Sequence, residues 1–442
     1  MDSIAQGNLR PGPAGPASTR RTSLSEAETS ILDLPLSDCF WLLCLNLLIL
    51  QHVTGFGKAL KYFDEVVAVL LLVAAVAKAL KKKAEKAGPR QTLFLPALLL
   101  ALLVAIGLYG NFVGGIGARP SAIAIDIVAC TKTMLALFAG STLLEGRQGL
   151  FRAAETESKL LMAIMVPFAI ANLFFDIGMG VDPRYGLRAS FLFIFAHPTY
   201  LTSISAGFAI ILFKHKEENV FWLLLAALLS ASTLRAKGIA LAAVIILILM
   251  TVRTGGRFTS LHALAGALLA AYIGYDQVIA HYRYSGTARG ELMRASLKVA
   301  RDHFPIGTGF ATFASNVTAN PIDYSPLYYE YGISTVRGLE PGGSWISDTF
   351  WPIILGQFGI VGLIVFLALL ASLYFLLCKQ HPNDRISIVV FFGSLLISST
   401  AETAFFHPLA MIVVLCLCIT FWSEPRACEG SSAGDAGSAK DR

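Results

Sequence analysis

Residues 349–377 read TFWPIILGQFGIVGLIVFLALLASLYFLL, twenty-nine positions without one charged side chain. An α-helix needs only ~20 such residues to cross a bilayer. The same pattern recurs outward in both directions. Apolar runs fall near residues 36–54, 62–80, 92–110, 121–144, 159–175, 189–213, 219–234, 237–252 and 258–274 before it, and 386–403 and 408–422 after it. They are unbroken rather than alternating, which excludes a transmembrane β-barrel. The remaining composition agrees. Of 442 residues, 55% are hydrophobic, only 14% are charged, and mean hydropathy is +0.65. Soluble domains carry about 25% charged residues, so this chain has too few ions to wet a globular surface. The sequence predicts an all-α polytopic membrane protein with about twelve transmembrane helices.

Charge placement predicts its orientation. With an N-terminus in the cytoplasm and alternating sides, 21 of the 35 Lys and Arg fall inside, Lys81, Lys82 and Lys83 among them. Thirteen fall outside, six of them in the one long loop, which the positive-inside rule does not govern. The resulting plan is a cytoplasmic tail over 1–35, nine spans over 36–274, a large periplasmic loop over 275–347, three spans over 348–422 and a second cytoplasmic tail over 423–442. The first tail is rich in Pro, Gly, Ser and Thr and reads as disordered, and the second is small and polar with no core-forming pattern. No disulfide framework is expected, because none of Cys39, Cys44, Cys130, Cys378, Cys416, Cys418 and Cys428 lies in the long loop.

Several chemistries have no sequence support. There is no Walker A loop, GxSxG, HExxH, CxxC or Asp-x-Asp. Gly307-Thr308-Gly309 lacks the third glycine and the βαβ setting of a dinucleotide site. No metal, cofactor or nucleic acid is expected.

The candidate chemistry gathers on the outer side of this plan. The long loop holds seven of thirteen tyrosines, including Tyr328 and Tyr329, and ends near Trp345. Such rings suit sugar faces, and equally suit a membrane interface. Thr287–His303 reads as a helix with Thr287 as N-cap. Leu292, Met293, Ser296, Leu297, Val299 and Ala300 share its apolar face, and Arg294, Lys298 and Arg301 lie opposite. Arg289 points from the middle of the apolar face, where a cation calls for an anionic partner, either a ligand or a structural carboxylate. Arg235 and Lys237 open a helix at the outer surface, where a guanidinium fork and a helix N-terminus suit phosphate oxygens, or lipid headgroups. Asp126 and Lys132 lie within one apolar run, functional or paired with each other. Glu402 and His407 are weaker candidates. Asp348, where loop meets helix, is either a proton acceptor or a helix cap.

Three stretches carry a resemblance. They are Ala288-Arg289-Gly290-Glu291-Leu292, Asp302-His303-Phe304-Pro305-Ile306-Gly307-Thr308-Gly309-Phe310, and Asp348-Thr349-Phe350-Trp351 running to Gly356-Gln357-Phe358-Gly359-Ile360-Val361-Gly362. Together they resemble the O-antigen ligase/polymerase superfamily, and Ser232-Thr233-Leu234-Arg235-Ala236-Lys237-Gly238 is similar to that family's Ser-Arg-Gly segment. Ligases of the family carry a His-Asn/Ser pair eleven residues before a Gly; here Asp348-Thr349 stands in that place before Gly359. That substitution resembles the polysaccharide polymerase branch.

The resemblance implies a multi-pass glycosyltransferase of the bacterial inner membrane. Its substrates would be undecaprenyl-pyrophosphate-linked glycans in the bilayer, joined into exopolysaccharide or O-antigen at the periplasmic face. A chain-length regulator and a flippase of the same pathway would be its partners. Catalytic roles fall to Asp348 and Arg289, and substrate binding to Arg235, Lys237, Tyr328, Tyr329 and Trp345. Two alternatives share these features: an O-antigen ligase acting on lipid A core, and a lipid-linked oligosaccharide flippase or other transporter. A transporter would show repeated halves and a charged central path, whereas these residues crowd around one loop.

Overall fold

The computed structural model describes residues 34–83, 93–186, 189–253 and 286–422, with isolated positions between 262 and 275. The apolar run 258–274, most of the segment leading into the long loop, and both tails lie outside the described residues. Each of the other eleven runs contains a helix. In chain order these are α1 (Leu36–Leu50), α2 (Phe63–Lys83), α3 (Phe94–Gly114), α4 (Pro120–Leu143), α5 (Gln148–Phe174), α6 (Pro198–Leu212), α7 (Val220–Ser232) and α8 (Ala236–Arg253). Then follow α9 (Ala288–Asp302) and the single turn α10 (Leu327–Glu330), both in the long connection, and α11 (Trp351–Gln380), α12 (Arg385–Ser398) and α13 (Leu409–Thr420). Helices α3, α4, α5, α8 and α11 are long and apolar enough to cross a bilayer, making this a multi-pass membrane protein. Among the described residues the only sheet is a two-residue ladder, Gly180–Val181 against Ser190–Phe191.

The short helices are the structural centre. All twelve residues of α13 are buried, and so are thirteen of fifteen in α6. Small residues let these backbones approach: Cys416 packs against Gly207 of α6, and Cys418 against Gly140 of α4. At 1.5 Å per residue, twelve residues reach only ~18 Å, well short of a bilayer's ~30 Å hydrocarbon core. Non-helical connections complete the distance at one end. The apolar stretch 189–197 disguises this before α6, whereas Gln51, His52 and Thr54 mark the end of α1.

Such backbone survives at depth only when buried in protein and hydrogen-bonded. Thr54 N–H donates to the Ile194 carbonyl at 3.0 Å, and Ala196 N–H to that of His52 at 3.1 Å. The His52 ring then meets Tyr200 edge-on, centroids 4.9 Å apart, and stacks toward His407 at 6.2 Å. Three separate connections thus form a polar layer above the buried helices.

A second insertion explains the glycine-rich motifs. Gly359 breaks α11 with φ 64° and ψ −164°, which frees carbonyls of the preceding turn. The segment after α9 takes them: Thr308 N–H donates to Gly356 O at 3.0 Å and Gly309 N–H to Gln357 O at 2.8 Å. In return Val361 N–H donates to Pro305 O at 3.1 Å. Asp126 of α4 fastens the next turn, accepting from Ala311 N–H at 2.6 Å and Gln357 Nε2 at 2.8 Å. Gly307-Thr308-Gly309 is therefore a backbone splice, not a phosphate loop. A Cβ on Gly359 would lie 2.5 Å from Gly307 N in a left-handed conformation. Gly359→Ala is expected to destabilise the protein by roughly 3 kcal/mol, read as a lowered melting temperature in detergent.

Asp126 and Lys132 do not pair with each other. Lys132 turns to α2, where it contacts Asp64 and lies 2.7 Å from Glu65 Oε1. The reason is pitch: six residues along one helix place the two side chains on different faces.

The connections sort to two ends. At one end Arg119 holds Asp323, Asn111 holds the Phe310 backbone, Lys237 meets Glu402 and Arg289 meets Asp348. At the other, Arg147 holds Asp38, Lys214 holds Asp384 at 2.6 Å, and Gly146 N–H donates to Phe421 O at 2.8 Å. Every candidate residue described at the first end belongs to a segment assigned to one side by the basic-residue pattern.

Candidate functional site

The turn Ser232–Gly238 begins the site. Thr233 Oγ1 donates to Ser230 O at 2.7 Å, and Ser230 Oγ donates to Gly238 O at 2.9 Å. Leu234 takes a positive φ of 49°. A Cβ on Gly238 would collide with Thr233 Oγ1 and Ser230 O, at 2.3 and 2.4 Å. This reversal sends two cations opposite ways. Arg235 turns toward the exposed Asp182, with Nη2 3.3 Å from Asp182 Oδ2. Its Nε is buried with no hydrogen-bond partner among the described residues. Lys237 turns inward, 4% exposed, with Nζ 2.6 Å from Glu402 Oε2. Expected at the surface, Lys237 is instead covered, because it occupies the first turn of α8 beneath the reversal.

Helix α9 supplies the third cation. Thr287 is the N-cap, although its side chain does not accept a capping bond; Glu291 Oε1 accepts from Gly286 N–H at 2.9 Å instead. Ala288, Leu292, Ala295, Ser296, Val299 and Ala300 are buried against the helical body. Leu297, expected on that face, is exposed, since it falls at the strip's edge beside Arg294. Arg289 flanks the buried strip, and its partner is Asp348. Nε and Nη2 both donate to Asp348 Oδ2, at 2.8 and 2.6 Å. Nη2 also reaches the Ala401 carbonyl at 3.4 Å. Ala401 and Glu402 are chain neighbours, so one connection touches both Arg289 and Lys237.

Asp348 is not the helix cap. Helix α11 starts at Trp351 with Phe350 as N-cap residue, and the Asp348 side chain turns away to Arg289. Phe350 is what fixes it. That ring packs on Phe405 and Phe406 at 5.2 and 5.0 Å, joining the end of the long connection to the 399–408 segment. The aromatic residues after Asp348 therefore tie its connection to the one that carries Glu402. Burial raises the Asp348 carboxyl above its usual value, and the Arg289 guanidinium opposes that shift. Only Oδ2 is used by Arg289, and the side chain keeps 34% exposure.

The loop tyrosines divide. Tyr328 is fully buried, its hydroxyl accepting from Ala314 N–H at 2.7 Å and meeting Thr318 Oγ1 at 2.8 Å. It builds the loop's interior and cannot face a sugar. Tyr324 and Tyr331 likewise spend their hydroxyls on Leu339 O and Asp302. Tyr329 and Trp345 are exposed. Trp345 also lies close to the carboxylate in the chain, since Asp348 N–H donates to its carbonyl at 3.2 Å. Arg337 sits 5.9 Å over the Trp345 ring. Tyr282 and Tyr284 lie outside the described residues.

Asp182, His52 and Tyr200 join this end without having been singled out by sequence. Asp182 sits in a short polar connection with no motif, and His52 and Tyr200 merely fringe apolar runs. Only the shared side of their segments signalled them. Among the described residues, no group of three or more His, Cys, Asp or Glu is placed to hold a metal ion. Chemically, the arrangement offers three cations and a partly exposed carboxylate, a setting for an anionic leaving group and a proton. In comparison with known proteins, no protein-family model and no curated protein matches the chain.

Proposed function

We propose that the chain is a polysaccharide polymerase of the bacterial inner membrane, joining repeat units carried on undecaprenyl pyrophosphate. The observation that carries this reading is the convergence of Arg235, Lys237, Arg289 and Asp348, from three segments spread over more than a hundred residues of sequence, at one end of a multi-pass helical body. Twelve spans with the long loop in the periplasm remain part of the proposal, as do cytoplasmic tails.

In the proposed reaction an acceptor hydroxyl oxygen attacks the anomeric carbon of the donor glycan. A new glycosidic C–O bond forms as the bond from that carbon to the pyrophosphate oxygen breaks. The electron pair leaves with the lipid pyrophosphate, whose growing charge the Arg235 and Arg289 guanidiniums stabilise, with Lys237 contributing from below. The hydroxyl proton passes to Asp348. One displacement inverts the anomeric centre. Trp345 and Tyr329 provide aromatic faces for the glycan.

A strain lacking the gene tests this through its surface polysaccharide. A single repeat unit without a ladder is the expected gel pattern. Unattached long chains would mean a ligase, and an unaltered ladder would remove both readings.

A further inference from the structure

Each cation of the cluster already has a carboxylate: Arg289 has Asp348, Lys237 has Glu402 and Arg235 has Asp182. Arg184 lies near enough to act on Arg235's charge and adds a further positive group at the rim. A phosphate ligand therefore does not meet bare cations. It must exchange with carboxylates.

The three pairs differ in how readily they exchange. Lys237 and Glu402 are 4% and 12% exposed, so parting them would strand two buried charges. Asp182 is 71% exposed and touches Arg235 once, at 3.3 Å. Asp348 lies between, on a connection rather than within a helix, with its pair 22% and 34% exposed. The Arg289 contact has a decisive feature. Asp348 occupies Nε and Nη2, the same edge of the guanidinium that grips two phosphate oxygens. Phosphate and Asp348 compete for one edge. At Arg235, by contrast, an exposed carboxylate makes one 3.3 Å contact and the buried Nε has no hydrogen-bond partner among the described residues, so an incoming anion has less to displace there.

Resting on the reading above, we infer that the Arg289–Asp348 pair is a latch opened by the donor. Pyrophosphate docks first at Arg235 and then displaces Asp348 from Arg289. The carboxylate is released as a proton acceptor only when a leaving group is in place. Freed from its guanidinium and placed beside phosphate charge, it also becomes a stronger base. The free enzyme keeps this base occupied, which protects a lone acceptor or water from unproductive activation.

The test is binding of inorganic pyrophosphate to the purified full chain in detergent at low salt, by calorimetry, without substrate. Removing the competing carboxylate with Asp348→Asn is expected to tighten binding roughly tenfold. Arg289→Ala should weaken it. Asp348→Ser, which also removes the competing carboxylate, should tighten it too and carries the test if Asp348→Asn misfolds. Asp323→Asn, whose partner is Arg119, serves as the control and should change nothing. Wild-type binding that is unchanged or weakened in both Asp variants overturns the latch while leaving the pyrophosphate site intact. Absence of binding in every protein overturns the pyrophosphate site itself, and the latch with it.

Discussion

Asp348→Asn is expected to abolish polymer while the protein still inserts and folds. Asparagine keeps the size of the side chain, and its amide oxygen can still accept from Arg289. What it loses is the ability to take a proton, worth about 10²–10⁴ in rate for a positioned general base. The cap explanation fails on geometry, because Phe350 rather than Asp348 stands at the start of α11. The surroundings also set a pH dependence. Burial raises the carboxyl, Arg289 and Lys237 lower it, and Glu402 raises it, with a net upward shift from the ordinary 3.8. A raised value means the proton is held to higher pH, so activity should fall, as pH decreases, earlier than for an ordinary aspartate. Repeat-unit consumption against pH shows this limb in the wild type. Near-normal polymer from Asp348→Asn at wild-type protein level would leave Asp348 as a mere partner of Arg289.

The second large effect concerns the arginines. Arg289→Ala or Arg235→Ala should each lower transfer by about 10²–10³, the usual cost of one donor aimed at developing charge. Lysine at either position keeps the charge and loses the fork, so an intermediate loss is expected. Arg294→Ala is the control: Arg294 pairs with Glu291 on the partly exposed side of α9 and should leave the ladder normal. Quantified repeat-unit ladders at matched expression read all of these. Equal, normal ladders from Arg289→Ala and Arg294→Ala would remove Arg289 from the chemistry.

What the sequence made legible depended on range. Membrane helices were readable because twenty apolar residues have one cheap solution in lipid, and eleven runs contain helices as a result. Arg289's need for an anionic partner is readable because helical pitch is local, although it flanks the buried strip instead of sitting mid-face, and the partner present is a carboxylate of the chain itself. Its identity was not readable, since Asp348 lies 59 residues away. The partners of Lys132 and Tyr328 were missed for the same reason: Asp64 and the Ala314 backbone reach them through tertiary packing alone. Gly359 was noticed only by its spacing. Its physical role, a break in α11 spliced by residues 305–309, required the backbone angles and the hydrogen bonds. The retreat of α6 from one face was also hidden, because 189–197 is as apolar as the helix beside it, while the connections beside α1 and α13 carry polar residues such as Gln51, His52, Glu402 and His407.

On the proposed function, transfer from a lipid pyrophosphate needs this chain alone. Purified protein in liposomes, supplied only with undecaprenyl-pyrophosphate-linked repeat units, tests it most directly. A ladder of lengthening glycans is expected, with one undecaprenyl pyrophosphate released per linkage and none of either from Asp348→Asn. Repeat units that cross the bilayer unjoined, or remain single beside folded protein, would contradict it.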